Sequence, residues 1–192
     1  MRARFRMDRL GRAALLVVAV AAFVAGAPRH AMAQTTVIVV RHAEKAAQPA
    51  ADPPLTDAGR ARADALWEAV KDAGVRAVIT TQLARTIETG APTAEHLGIK
   101  GEVVAAGGAD HATHVAAAVK KHVGETVLVV GHSNTVPAII AALGAKEPPA
   151  LCDDAYDNLY VVTMDAAGRA SLIHSRYGVA TPVGAACGAM KP

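Results

Sequence analysis

The chain has 192 residues and a formal net charge of +3, but the charge is not spread along it. The first 33 residues hold 6 of the 20 Lys and Arg and 1 of the 17 Asp and Glu, so residues 34–192 carry 14 basic against 16 acidic groups, a net of −2. The basic balance of the whole sequence therefore gives no support for nucleic-acid binding, and the 159 residues after position 33 are enough for one domain with a real core.

The N-terminal segment reads as a secretory signal peptide. Arg2, Arg4, Arg6, Arg9 and Arg12 form a basic head, Ala13 to Ala27 is an apolar stretch, and Ala31-Met32-Ala33 is an A-x-A cleavage pattern. The apolar stretch is short for a membrane span of roughly 20 residues, so cleavage before Gln34 is expected, with no lasting membrane insertion. Export to the periplasm or the medium follows, with residues 34–192 as a single domain. Such a compartment permits a disulfide, and the two cysteines, Cys152 and Cys187, are its candidates. Two unpaired thiols are the alternative, because sequence does not supply the distance between them.

The first strand signal is TTVIVV, Thr35 to Val40, and it runs straight into Arg41-His42. A loop rich in Ala and Pro follows. Leu55-Thr56-Asp57 then opens a helix, with Thr56 as N-cap, Ala61, Ala65, Leu66, Ala69 and Val70 at helical spacing, and Gly74 as the stop. Strand two is Val75 to Thr80, followed at once by Thr81-Gln82-Leu83-Ala84-Arg85. A second helix covers Leu83 to Leu97, and Pro92 inside it predicts a kink or break. Glu102 to Ala106 reads as a third strand, His111 to His122 as a third helix, and Thr126 to Val130 as a fourth strand leading into Gly131-His132. Asn134 to Leu143 is a fourth helix, with Pro137 in its first turn. Leu159 to Met164 and Ala170 to His174 flank Asp165-Ala166-Ala167-Gly168 as a hairpin. This alternation predicts a three-layer α/β/α sandwich, with a mainly parallel sheet and an antiparallel C-terminal edge hairpin.

Three strands thus deliver Arg41-His42, Arg85 and His132 to the carboxyl edge, where ligands bind in open α/β sheets. Two arginines and two histidines at one rim describe an anion site containing a nucleophile, and phosphate is the anion they fit best. These motifs, together with Leu55-Thr56-x-x-Gly59 at the first helix, resemble the histidine phosphatase superfamily, the phosphoglycerate mutase-like fold, over nearly all of residues 34–192. One departure is Ala43, where many relatives have Gly. The resemblance implies a hydrolase in which His42 becomes a phosphohistidine, while Arg41, Arg85 and His132 hold the phosphoryl oxygens. Ser133 and its neighbours would add amides to the pocket.

The same roles follow from the chemistry. A neutral imidazole can attack phosphorus, nearby guanidinium groups disfavour its protonation, and a backbone carbonyl would fix its tautomer. Two guanidinium groups supply the positive charge, so neither metal nor cofactor is required. His111 and His114 have metal-compatible spacing, but no ligand cluster completes a site. For the proton donor to the leaving group, Asp110 beyond strand three and Glu44 beside the nucleophile are the candidates. Their alternatives are a helix N-cap and a loop charge paired with Lys45. A missing acid would favour good leaving groups such as phosphohistidine or anhydrides. The expected partner is a small phosphorylated molecule or a phosphoprotein, met by a monomer.

Other functions compete with this one. Gly131-His132-Ser133-Asn134-Thr135 resembles a serine-hydrolase elbow, with Asp157 and His174 following in order, although Thr135 stands where the turn wants Gly. An anion-binding protein without turnover would keep Arg41, Arg85 and His132 but would not demand a histidine at 42. A mutase would need further basic residues around the site.

Overall fold

The computed structural model describes residues 34–181. The expected leader, residues 1–33, and Cys187 lie outside them. The strands are β1 (Thr35–Arg41), β2 (Val75–Thr80), β3 (Glu102–Val103), β4 (Thr126–Gly131), β5 (Asn158–Met164) and β6 (Ala170–Arg176). The helices are α1 (Asp57–Val70), α2 (Ala84–Leu97), α3 (His111–Val119) and α4 (Val136–Ala142).

Strand residues alternate between the two faces of a sheet, and here both faces are apolar. Val37, Val39, Ile79, Val127 and Val129 meet Val115, Val119, Ile139 and Ile140 on one side. Ile38, Val40, Val78, Leu128 and Val130 meet Leu66 and Val70 on the other, with Ala94 and Leu97 packed against them. That two-sided burial is why β1 and β4 read as continuous hydrophobic runs rather than alternating ones. The six strands form one sheet in the order β3-β2-β4-β1-β5-β6. The pairs β1–β4, β2–β4 and β2–β3 are parallel, whereas β5 runs antiparallel to β1 and β6 antiparallel to β5. The expected three-layer sandwich with an antiparallel edge is the observed fold.

Two expectations need correction. The break expected at Pro92 does not occur, since one helix runs from Ala84 to Leu97 with Thr86, Thr89, Gly90 and Thr93 on its buried face. The local cost of a helical proline is offset there by packing. The third strand is only two residues long, because β3 pairs with β2 through Ile79–Glu102 and Thr80–Val103 alone and lies at the sheet edge.

The Leu55-Thr-x-x-Gly59 motif has a structural explanation. Thr56 caps α1 by accepting from the Gly59 amide at 3.1 Å. Its own amide and hydroxyl both donate to the Glu44 carbonyl, at 2.9 and 3.2 Å. A Cβ on Gly59 would fall 2.2 Å from that same carbonyl oxygen. Glycine is therefore what allows α1 to dock on the segment that follows Arg41-His42. Below it, the Arg62 guanidinium grips the Glu44 carboxylate at 2.7 to 2.9 Å.

Candidate active site

Arg41 ends β1 opposite Gly131 of β4. The next amide, that of His42, donates to the Gly131 carbonyl at 2.9 Å. This register sets the two histidine motifs side by side, and the His42 and His132 rings stand 5.3 Å apart, edge to face. Gly131 suits a tight strand-to-helix turn, since a Cβ there would lie 3.1 Å from the Thr135 hydroxyl and 3.3 Å from Val136. Thr135 in turn accepts from the His132 amide at 2.9 Å. Arg85 arrives from the first turn of α2. That helix is tied to the post-β1 segment through Thr89, whose hydroxyl accepts from the Ala43 amide at 2.9 Å and donates to the Arg85 carbonyl at 2.7 Å.

Arg41, His42, Arg85 and His132 line one cavity of about 370 Å³, with Lys45, Ser133 and Asn134 at its wall. Arg41, His42 and His132 are buried, at 3%, 4% and 8% exposure. A larger groove of about 680 Å³ runs beside β5 and β6, where the Arg176 and His174 side chains already have protein partners. There Arg176 pairs with Asp157 at 2.7 Å, and His174 bonds Asn158 at 2.8 Å.

His42 Nδ1 lies 2.8 Å from the Ala43 carbonyl. A carbonyl can only accept, so Nδ1 carries the proton and Nε2 keeps its lone pair. The His42 pKa is lowered to about 3, chiefly by burial, with Arg41, His132 and Arg85 adding repulsion against the Ala43 bond. The neighbouring cations are thus the lesser cause of its neutrality, and loss of solvent is the greater. His132 is lowered to about 4, by burial first and then by Arg85, His111 and Arg41. Its Nε2 sits 3.2 Å from the Thr81 hydroxyl. Burial also works against the Arg41 charge, opposed by Tyr156, Asp153 and Asp154. Neither Arg41 Nε nor Arg85 Nε has a protein partner. A buried Arg41 guanidinium and a half-buried Arg85 guanidinium, beside imidazoles held neutral, make a receptor for a tetrahedral oxyanion.

The two proposed acids are not brought to this cavity. Glu44 is committed to Arg62 rather than to Lys45, since the buried guanidinium outcompetes a loop lysine for it. Asp110 is exposed at the N-cap position of α3, without a side-chain capping bond. The serine-hydrolase constellation is not assembled either. The Ser133 hydroxyl donates to Asp153 at 2.7 Å, Asp157 serves Arg176 and Thr181, and the His174 ring stacks on Tyr160 at 4.5 Å. Among the described residues no three His, Cys, Asp or Glu side chains are grouped as a metal site, and no helix is long and apolar enough to cross a membrane.

Residues 37–106 match the histidine phosphatase superfamily (branch 1), a span that contains Arg41, His42 and Arg85. Among solved structures, a Nakamurella multipartitia protein assigned as phosphohistidine phosphatase SixA is 26% identical, with a TM-score of 0.56, covering 76% of this chain and 98% of its own. Both findings support the histidine phosphatase superfamily. A protein histidine phosphatase SixA complexed with tungstate is 20% identical, with a TM-score of 0.56 over 73% of this chain and 96% of its own. A mycobacterial glucosyl-3-phosphoglycerate phosphatase is 15% identical, with a TM-score of 0.58 over 77% of this chain and all of its own, 100%. These last two share the histidine phosphatase fold. No curated protein sequence matches the chain.

Sequence reasoning missed four residues at this site. Asp52 caps α2 through the Ala84 amide at 2.9 Å and stands 3.9 Å from Arg85. Thr81 bonds both His132 and Thr86. Asp153 and Tyr156 line the cavity from the segment before β5. The signal for that pair was available: a strand antiparallel to β1 begins at the rim where β1 ends, and Cys152-Asp153-Asp154-Ala155-Tyr156 immediately precedes such a strand. Cys152 is buried and takes part in a disulfide.

Proposed function

We propose that the protein is an exported, metal-independent phosphatase that works through a phosphohistidine on His42. The observation carrying this reading is the buried His42, with Nδ1 held by the Ala43 carbonyl, in one cavity with Arg41, Arg85 and His132. The Nε2 lone pair attacks phosphorus in line, and the bond from phosphorus to the leaving oxygen or nitrogen breaks with its electron pair going to the leaving atom. Arg41 and Arg85 hold the non-bridging oxygens, and His132 donates its N–H to the same group as charge develops. Ser133, the other expected binding residue, faces the same cavity. Water then attacks the phosphohistidine, releasing phosphate and restoring the Nε2 lone pair.

The leaving groups favoured are those that depart without an enzymic acid, namely the nitrogen of a phosphoramidate such as phosphohistidine, or the oxygen of an anhydride. Among the described residues Asp153 is the sole carboxylate lining the cavity. It is 88% exposed, and its Oδ1 accepts from the Ser133 hydroxyl at 2.7 Å. The phosphohistidine phosphatase assignment of the Nakamurella relative agrees with this substrate class. Small phosphorylated molecules and phosphoproteins both fit a cavity open to solvent.

The test is to trap the intermediate. Incubation with ³²P-labelled acetyl phosphate, followed by a rapid quench, should leave a label that is stable to base and labile in acid, and His42→Ala should lack it. An acid-stable, base-labile label would place the phosphoryl group on a serine. Absence of label together with tight phosphate binding would favour the anion-binding protein.

A further inference from the structure

We propose that Tyr156 is a positioning residue for Arg41, and that the loop carrying it sets the geometry of the oxyanion site. The proposal rests on the reading of Arg41 as a phosphate grip. The β1 backbone places only the Arg41 Cα; a long, flexible side chain needs further contacts to hold one rotamer. One short segment supplies them. The Tyr156 ring lies 4.2 Å from the Arg41 Cζ, covering the guanidinium. The Cys152 carbonyl accepts from Nη1 at 2.9 Å. Asp153 stands 3.6 Å from Nη2, beyond a hydrogen bond.

The segment carries a disulfide cysteine at one end and a hydrogen-bonded anchor at the other. Cys152 takes part in a disulfide. At the other end the Asp157 carboxylate accepts from Arg176 at 2.7 Å and from the Thr181 hydroxyl at 2.8 Å, and its carbonyl accepts from the Tyr177 amide at 3.0 Å. The Tyr156 amide also donates to the Thr181 hydroxyl at 3.2 Å. Tyr156 is thus carried on a braced loop, and the same ring stands 6.3 Å from the His42 ring. A planar cation held by a carbonyl at one nitrogen and covered by an aromatic ring has one orientation left, with its remaining N–H donors pre-aimed. Pre-aiming reduces the ordering cost of gripping an anion and so raises affinity.

The experiment measures equilibrium tungstate binding to the full protein by calorimetry, with melting curves to establish that each variant is folded. Tyr156→Leu and Tyr156→Ser both remove the ring, so one substitutes for the other if either fails to fold. Each should weaken tungstate roughly 3- to 30-fold, the range spanned by cation–π contacts. Tyr156→Phe, which keeps the ring, should stay within about 2-fold of the wild type. The loss should vanish in an Arg41→Ala background and persist in an Arg85→Lys background. Unchanged affinity in the ring-less variants overturns the proposal. So does a Phe variant as weak as the Leu variant, or a loss that survives removal of Arg41. Tungstate is not turned over, so this result stands apart from the phosphohistidine trap: a missing label would refute the phosphatase reading, not the positioning of Arg41.

Discussion

Acid should destabilise this protein well above the pH at which its carboxylates titrate, and the cause should be traceable to two histidines. His42 is lowered from 6.5 to about 3 and His132 from 6.5 to about 4, both mainly by burial. Above pH 6.5 each is neutral in the folded and unfolded chain alike, so neither contributes a pH dependence. Between the unfolded and folded values, the unfolded chain binds a proton that the native state refuses, and stability falls as pH falls. Each histidine then costs about 1.4 kcal/mol per pH unit. At about pH 5 the loss is about 2 kcal/mol per histidine, or about 4 kcal/mol together, a large part of a typical domain's stability. Urea unfolding at about pH 8 and about pH 5 measures this in the wild type and in His42→Asn, which removes one of the two groups. The stability difference between the two proteins should shift by about 2 kcal/mol across that range, in favour of the variant at acid pH. A difference independent of pH would refute the claim that His42 is held neutral by its burial.

Other residues carry equally specific consequences. Gly59→Ala should cost about 2 kcal/mol or more, read from the urea midpoint, because its methyl group must displace the Glu44 carbonyl and with it the cap of α1. Glu44→Gln should lower stability by about 3 kcal/mol through the stranded Arg62 charge. Its turnover per folded molecule should remain near that of the wild type, as should that of Asp110→Asn, because neither carboxylate reaches the cavity; a large fall in kcat for either would reinstate it as the acid. Reduction with dithiothreitol, which passes two electrons and two protons to the Cys152 disulfide, should lower the melting temperature and also weaken tungstate binding. Loss of stability with unchanged affinity would show that the Cys152 carbonyl holds Arg41 without help from the cross-link.

The parts of the site legible in the sequence were those set by strand ends. Arg41, His42 and His132 each follow an apolar run directly, so identifying a buried parallel strand also locates the residue after it. Arg85 follows within a few residues. The period-two packing of β1 and β4 between two helical layers is local information of the same kind. The groups sequence did not expose reach the rim through long connections. Tyr156 and Asp153 meet Arg41 from more than 100 residues away, and Asp52 caps α2 across 32. Glu44 illustrates the converse. It stands two positions from the nucleophile, yet Arg62 from the next helix turns its carboxylate away from the cavity. Sequence proximity measures how far apart two residues can be, not which way their side chains point. Pro92 shows the same limit for the backbone, since its helix is maintained by tertiary packing that local propensity does not contain.

The most direct measurement is a crystal structure of the protein with orthovanadate, which adopts the five-coordinate geometry of phosphoryl transfer. The account predicts vanadium within bonding distance of His42 Nε2 on the axis, with Arg41, Arg85 and His132 donating to the equatorial oxygens and Ala43 still holding Nδ1. Vanadate bonded to Ser133, or bound in the groove beside β5 and β6 with His42 left bare, would contradict it.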